Sequence, residues 1–204
     1  MRLFVAIRPT PTAVRDLDER LSGPRAGTGD LRWTPPEQWH VTLAFLAEVD
    51  GRRYAELTPR LGRAAGRAHE LPLSLTGAGT FPRRADRARV LWVGLSGDRI
   101  GLARLATAAL AAARRSGLPV EDRRFSAHLT LARARPPAGS DLTTVVTALS
   151  AYAGPSWTAT ELELVRSHIG PTVRYELVDR WPLGTPGPST GAAADSLRRS
   201  RKAR

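Results

Sequence analysis

The chain has 204 residues, 42% of them hydrophobic, and a formal net charge of +12 that favours an anionic partner such as a phosphate or a nucleic acid. It contains no cysteine, which excludes disulfides, a thiolate nucleophile and a cysteine-ligated metal. No apolar run approaches the roughly 20 residues needed to cross a bilayer, so we expect a globular cytoplasmic protein without membrane contacts, and a monomer.

Alternating apolar residues predict strands in the first half of the chain, and helical spacing predicts two helices between them. In chain order these are a strand at 2–9, a helix at 12–21, strands at 31–34 and 39–49, a helix at 52–68, and strands at 71–79 and 88–95. Pro11 is expected near the start of the first helix, and Gly23–Pro24 should end it. Pro59 should shorten or kink the second helix.

A similar order of elements follows in the second half. It comprises a helix at 98–117, a strand at 128–133, a helix at 140–152, and strands at 158–168 and 173–183. Such a repeat predicts an internal duplication, with two intertwined lobes in a single domain spanning 1–183. Residues 184–204 are rich in Pro, Gly, Ser, Ala and Arg, and we expect them to form a disordered basic tail.

One short phrase occurs in both halves. Residues 40–44 read HVTLA and residues 128–132 read HLTLA, which uses two of the four histidines. Because side chains alternate along a strand, the histidine and the threonine of each phrase share one face, and apolar residues occupy the other. Each copy therefore presents an imidazole and a hydroxyl together. A structural His–Thr pair that was copied by duplication is the alternative interpretation.

Two histidines on related strands suit acid–base catalysis at phosphorus. Imidazole titrates near 6.5, so one ring can be neutral while its partner is protonated at neutral pH. The neutral ring would take a proton from an attacking water or hydroxyl, and the protonated ring would give one to the leaving oxygen. The threonine hydroxyls would hydrogen-bond the non-bridging oxygens of a tetrahedral phosphate. The pattern favours phosphoester chemistry with no metal and no cofactor.

Other kinds of site match the sequence less well. Neither phrase contains Asp or Glu and no HExxH is present, so a metal site would need remote ligands. Neither GxxxxGK[ST] nor a GxGxxG after a strand occurs. A threonine nucleophile would require an Asp–His relay, which is not evident.

The motifs and their surroundings resemble the 2H phosphoesterase family, in its RNA 2′,3′-cyclic phosphodiesterase branch, also described as 2′-5′ RNA ligase. The likeness covers roughly 1–183 and is carried by LRWTPPEQWHVTLAFLAEV at 31–49, FP at 81–82, LWVGL at 91–95, FSAHLTLAR at 125–133 and LVRSHIGPTVRYELVDRWPL at 164–183. The family implies an α+β, bilobal, pseudo-two-fold fold. Two mainly antiparallel sheets would face a central cleft, with the helices outside.

The resemblance also implies a reaction and a set of site residues. The reaction is hydrolysis of a terminal 2′,3′-cyclic phosphate of RNA or a nucleotide to a 2′-phosphate, without a metal. His128 would be the proton acceptor and His40 the proton donor. Thr42 and Thr130 would bind the phosphate.

Arg133 closes HLTLAR and matches an arginine of the family's second motif, where it would bind the phosphate. Strict alternation turns Arg133 away from the cleft, so this role requires a bend or bulge after Leu131. The sequence departs from the family in having Ala127 where Pro is common. Its final loop, IGPTV at 169–173, is short and lacks a second glycine.

Two other activities remain open for the same cleft. One is the reverse reaction, which joins RNA ends through a 2′-5′ linkage, and the other is RNA binding without catalysis. Further histidines, aromatic residues and arginines are expected to be structural or surface positions: His69, His168, Phe4, Trp33, Tyr175 and the cluster RRADRAR at 83–89.

Overall fold

The computed structural model describes residues 1–26, 28, 31–120, 124–135, 139–170 and 173–184. Its strands are β1 (Arg2–Ile7), β2 (Leu31–Trp33), β3 (Val41–Glu48), β4 (Leu71–Phe81), β5 (Val90–Gly97), β6 (His128–Ala134), β7 (Trp157–Ala159), β8 (Glu161–His168) and β9 (Arg174–Pro182). Its α-helices are α1 (Pro11–Ala26), α2 (Gly51–Arg67), α3 (Arg99–Arg115) and α4 (Thr143–Leu149). The predicted basic tail lies outside the described residues, apart from Gly184.

Helix α1 continues through Pro24 to Ala26, so the predicted end at Gly23–Pro24 is wrong. Contacts beyond the helix hold this last turn. The guanidinium of Arg25 lies over the rings of Trp33 and Trp39, 5.2 Å and 5.7 Å from their centroids. Such cation–π contacts stabilise the extended end, where a proline removes only one intrahelical hydrogen bond.

Helix α2 runs through Pro59 without a break, so the predicted shortening is also wrong. Its first turn is capped, since the Asp50 side chain accepts a hydrogen bond from the backbone N–H of Arg53 at 2.8 Å. On either side of the proline, Leu57 and Leu61 are fully buried. Burial of this apolar face offsets the cost of a proline inside a helix.

The nine strands form one antiparallel sheet in the order β7-β4-β5-β6-β3-β1-β8-β9, with β2 paired to β6, and the sheet is curled into a half-barrel. The α+β class is confirmed. The two sheets expected from the resemblance are the two halves of this one sheet, because β3 and β6 pair at Val41 and Leu129. Each half contains strands from both ends of the chain.

The main core lies between one face of this sheet and the helices. It includes Val41, Leu43, Leu129 and Leu131 of the two motif strands, which pack in the same cluster as buried leucines and alanines of α2 and α3. The opposite, concave face of the sheet is therefore left for the polar residues of the two phrases.

Candidate active site

The two phrases meet where the halves of the sheet join. Val41, the second residue of HVTLA, lies opposite Leu129, the second residue of HLTLA, in an antiparallel pair. Because the strands run in opposite directions, the histidine of each phrase lies beside the threonine of the other phrase. The structure thus brings together the four predicted motif residues at one place in the concave face.

Alternation of burial confirms which way these side chains point. The apolar residues of both phrases are fully buried in the main core. The polar residues are only partly exposed and lie on the other face: His40, Thr42, His128 and Thr130. Imidazole and hydroxyl groups from two strands therefore line one cleft.

A bulge in β6 brings Arg133 to the same face. Two consecutive residues of β5 pair with Thr130 and Ala132, which leaves Leu131 as the extra residue. Leu131 and Ala132 are accordingly both buried, and the alternation is reversed beyond them. The irregularity that a phosphate-binding role for Arg133 requires is present in the structure.

β3 contains a bulge at the equivalent position. Consecutive residues of β1 pair with Thr42 and Ala44, so Leu43 is the extra residue. Phe45 then faces the cleft at the position that Arg133 occupies in the second phrase, and 60% of its surface is exposed. An exposed aromatic ring at this place was not predicted, since the two-residue period alone assigns Phe45 to the core face.

Matching hydrogen bonds orient the two imidazole rings. Nδ1 of His40 is 2.7 Å from the carbonyl oxygen of Gln38, and Nδ1 of His128 is 2.7 Å from that of Ser126. A carbonyl oxygen can only accept, so Nδ1 donates in both rings. Nε2 is then the atom of each ring that remains to accept or donate a proton.

Burial lowers the pKa of His40 to about 4, because a charged ring would lose its hydration. The hydrogen bond to Gln38 opposes this shift. The positive charges of Arg8 and Arg133 lower the pKa further, as does His128 when it is protonated. His40 is therefore neutral at neutral pH in the empty cleft.

Burial also lowers the pKa of His128, with the charge of Arg133 acting in the same direction and the hydrogen bond to Ser126 opposing it. Both rings are consequently neutral at neutral pH while the cleft is empty. The expected pair of one neutral and one protonated ring thus requires a negative charge from outside, such as a bound phosphate.

Aromatic residues hold the His40 ring on two sides. Phe4 is stacked on it, with ring centroids 4.7 Å apart, and Tyr175 meets it edge-on at 5.3 Å. Phe4 and Tyr175 belong to a small apolar cluster on the cleft face, separate from the main core. Both residues were expected to be packed within the protein. This expectation is confirmed for Phe4, which is buried.

The His128 ring lies against Phe81 and Trp92, with centroids 5.0 Å and 6.3 Å away. The Trp92 indole lies over Gly79, where a Cβ would come within 2.3 Å of the ring. Glycine is therefore required for this close approach. Phe81 and Trp92 were not predicted as neighbours of His128, since the contact depends on how β4, β5 and β6 pair.

The hydroxyls of Thr42 and Thr130 have no hydrogen-bond partner within the described residues, and Arg133 forms no ion pair there. These groups can therefore bind a ligand without breaking internal contacts. Arg8, in contrast, is paired, with its Nε 2.5 Å from Glu163. Alternation along the first strand places Arg8 on the same face as Phe4. This pattern could have identified Arg8 in advance as a charged residue near His40.

The remaining histidines lie outside this cleft. Nε2 of His69 is 2.6 Å from Asp98, and Nε2 of His168 is 2.7 Å from Glu176. Both rings are thus paired with carboxylates near the surface, as their predicted structural or surface positions imply.

No group of three or more His, Cys, Asp or Glu side chains is arranged to hold a metal ion in the part of the chain that the structure describes. Within the same residues, no helix is both long enough and apolar enough to span a membrane.

The model of the LigT-like phosphoesterase family matches the chain twice, over residues 8–92 and 93–175. The chain belongs to this family. Each of the two family matches contains one HxTLA phrase.

Relatives within the family are similar along most of the chain. An RNA 2′,3′-cyclic phosphodiesterase of Geobacillus stearothermophilus is 28% identical over 95% of the chain, which spans only 61% of that protein's length. One of Escherichia coli is 32% identical over 71% of the chain and 75% of its own length. The crystal structure of E. coli LigT with 3′-AMP superimposes with a TM-score of 0.67 and 30% identity, over 89% of this chain and 97% of that one.

Proposed function

We propose that this protein hydrolyses the 2′,3′-cyclic phosphate at the 3′ end of RNA, or of a nucleotide, to a 2′-phosphate. The observation that carries the proposal is the pair of imidazoles, each with Nδ1 hydrogen-bonded to a carbonyl and Nε2 left for proton transfer, on strands that meet at the floor of one cleft. The proposal is supported by the relatives from Geobacillus stearothermophilus and Escherichia coli, which are named RNA 2′,3′-cyclic phosphodiesterases.

The negative charge of the substrate prepares His40 for its role. In the empty cleft the pKa of His40 is about 4, and its ring lacks the proton that a general acid needs. A phosphodiester anion beside the ring favours the charged form and raises this pKa. Substrate binding therefore leads His40 to take up a proton on Nε2.

The reaction then needs one base and one acid. His128 removes a proton from water as the water oxygen attacks phosphorus, and His40 donates its proton to the 3′-oxygen as the bond between phosphorus and that oxygen breaks. Thr42, Thr130 and Arg133 bind the non-bridging oxygens, where charge is held during the displacement. The 2′-phosphate and a free 3′-hydroxyl result, and exchange with solvent restores both rings.

Phe45 is proposed to contact the base of the terminal nucleotide. Its ring is exposed on the cleft face. It lies next to Phe4 of the neighbouring strand β1, and the centroids of the two rings are 6.2 Å apart. Base–aromatic stacking tolerates any base, so this contact would add affinity without selecting a sequence.

We further propose that the enzyme works as a monomer, since both motif strands come from one chain. We also propose that the protein works in the cytoplasm, as its sequence composition led us to expect.

The test is incubation with an oligonucleotide ending in a 2′,3′-cyclic phosphate, in the presence of EDTA, with identification of the product. We expect a 2′-phosphate. His40→Ala and His128→Ala should each lose most of the activity, with the exposed His69→Ala as the matched control. Joined RNA would favour the ligase alternative, and RNA binding without turnover would favour the non-catalytic one. Loss of activity in EDTA, or full activity in both variants, would contradict the mechanism.

A further inference from the structure

The positive charge of the chain is concentrated on two helices that lie away from the cleft. Helices α2 and α3 contain nine arginines and one acidic residue, Glu56, a net charge of +8. Of the +12 carried by the whole chain, +4 comes from residues 185–204. The remaining residues of 1–184, among them all those of the cleft, therefore carry a net charge of zero.

These helices lie on the opposite side of the sheet from the histidines. Leu57 and Leu61 of α2 and Leu102 and Leu105 of α3 are buried in the main core, against the face that Val41 shares. The arginines of both helices project from the outer side of this layer. Their charge consequently has little to do with binding a phosphate beside His40 and His128.

A groove between the two helices gathers part of this charge. Its sides are formed by Arg60, Arg63 and Arg67 of α2 and by Arg115 of α3. Its floor is formed by small side chains only: Ala64, Ala108, Ala111 and Ala112. The three arginines of α2 are three and four residues apart, so they lie along one side of the helix, about one turn from each other.

Most of these guanidinium groups have no carboxylate partner among the described residues. Arg60 lies 3.9 Å from Glu56, which Arg52 also approaches at 3.7 Å. Arg63, Arg67 and Arg115 form no ion pair there, and all three are exposed. Unpaired arginines held in a row at this spacing repel each other, which an anion bound between them would relieve.

We propose that this arginine groove (Arg60, Arg63, Arg67 and Arg115) binds the phosphate backbone of RNA. Guanidinium groups bind phosphate through two parallel hydrogen bonds, and a row of them fits a chain of phosphates better than a single anion. The alanine floor has no aromatic ring on which a base could stack, so binding would not depend on sequence. The lining also lacks the large apolar side chains that insert into membranes or anchor protein partners.

The proposal extends the proposed function, because it gives the RNA substrate a second contact surface. Since the groove and the cleft lie on opposite sides of the sheet, only an RNA that passes around the edge of the molecule can reach both. A cyclic mononucleotide would contact the cleft alone. The groove therefore distinguishes RNA from free nucleotides as substrates.

Binding of a labelled single-stranded RNA of about 20 nucleotides, without a cyclic end, tests the groove directly. Arg63→Ala and Arg67→Ala should each weaken binding about fivefold at 0.1 M salt and reduce the slope of log K against log salt by about 0.7. Alanine favours the helix, so neither change should disturb folding. Arg15→Ala, which removes the same charge from an exposed position of α1, is the matched control.

Hydrolysis of a 2′,3′-cyclic mononucleotide should be unchanged in both groove variants, which also checks that their clefts are intact. Unaltered RNA binding in both, or an equal loss in Arg15→Ala, would overturn the proposal. So would polyglutamate binding as tight as RNA binding, which would assign the groove to acidic polypeptides. If the groove variants weaken RNA binding but the wild type hydrolyses no cyclic phosphate, the proposed function would be refuted and the groove proposal would stand.

Discussion

Burial of the neutral His40 ring makes the stability of the fold depend on pH. The pKa of this ring is about 4 in the folded protein and 6.5 in an exposed chain. Between these values the unfolded state binds a proton that the folded state does not, so stability falls as the pH drops from 6.5 towards 4. From pH 7.5 to pH 4.5, this one group should cost about 2.5 kcal/mol of unfolding free energy.

Urea unfolding of the wild type and of His40→Asn at both pH values measures this contribution. Asparagine does not titrate, yet its amide can still donate to the carbonyl of Gln38, as Nδ1 of His40 does. We expect His40→Asn to lose about 2.5 kcal/mol less than the wild type on acidification. The matched control is His69→Asn, which removes a histidine outside the cleft and leaves the contribution of His40 in place, so this variant should lose more stability on acidification than His40→Asn. An equal loss in His40→Asn and the wild type, or an NMR titration of His40 near 6.5, would show that burial does not lower the pKa of His40.

Three further predictions concern the cleft. Binding of 2′-AMP at pH 7.5, where the free phosphate is already a dianion, should take up protons because the phosphate raises the pKa of His40. Calorimetry in buffers of different ionisation enthalpy measures the uptake, and its absence would contradict the prediction. Gly79→Ala should displace Trp92 and lower kcat/KM roughly tenfold, whereas Gly23→Ala, with open space at its Cβ, should not. Phe45→Ala should raise KM for a cyclic nucleotide about fivefold, which corresponds to about 1 kcal/mol of stacking free energy. Phe45→Tyr keeps an aromatic ring and should retain the wild-type KM. Equal KM values for the two variants would exclude stacking.

Much of the site follows from local patterns in the sequence. The two-residue period of a strand is sufficient to place His40 and Thr42 on one face and apolar residues on the other. Repetition of the phrase then indicates a second, related strand that carries His128. The phosphate-binding role that the family resemblance implies for Arg133 also required a bulge near this residue, since regular alternation would turn its side chain into the core.

The second bulge and the exposure of Phe45 could not be deduced in this way. Leu43 is an ordinary apolar residue, and nothing in its neighbours distinguishes an extra residue from a regular one. The bulge in β3 becomes visible only through the pairing of Thr42 and Ala44 with β1. Likewise, Pro24 and Pro59 predict helix ends by local rules that distant packing overrides.

Local patterns in the sequence establish the two His–Thr faces and the kind of chemistry they favour, because both depend on the period of side chains along a strand. The α+β class of fold was implied by the family resemblance. Contacts between distant parts of the chain establish the remaining features. Pairing of Val41 with Leu129 brings the two faces into one cleft, and burial there lowers the pKa of His40 to about 4. Packing of α2 and α3 on the far side of the sheet also gathers the positive charge away from the histidines. Both outcomes depend on contacts between residues far apart in the chain, which no local pattern encodes.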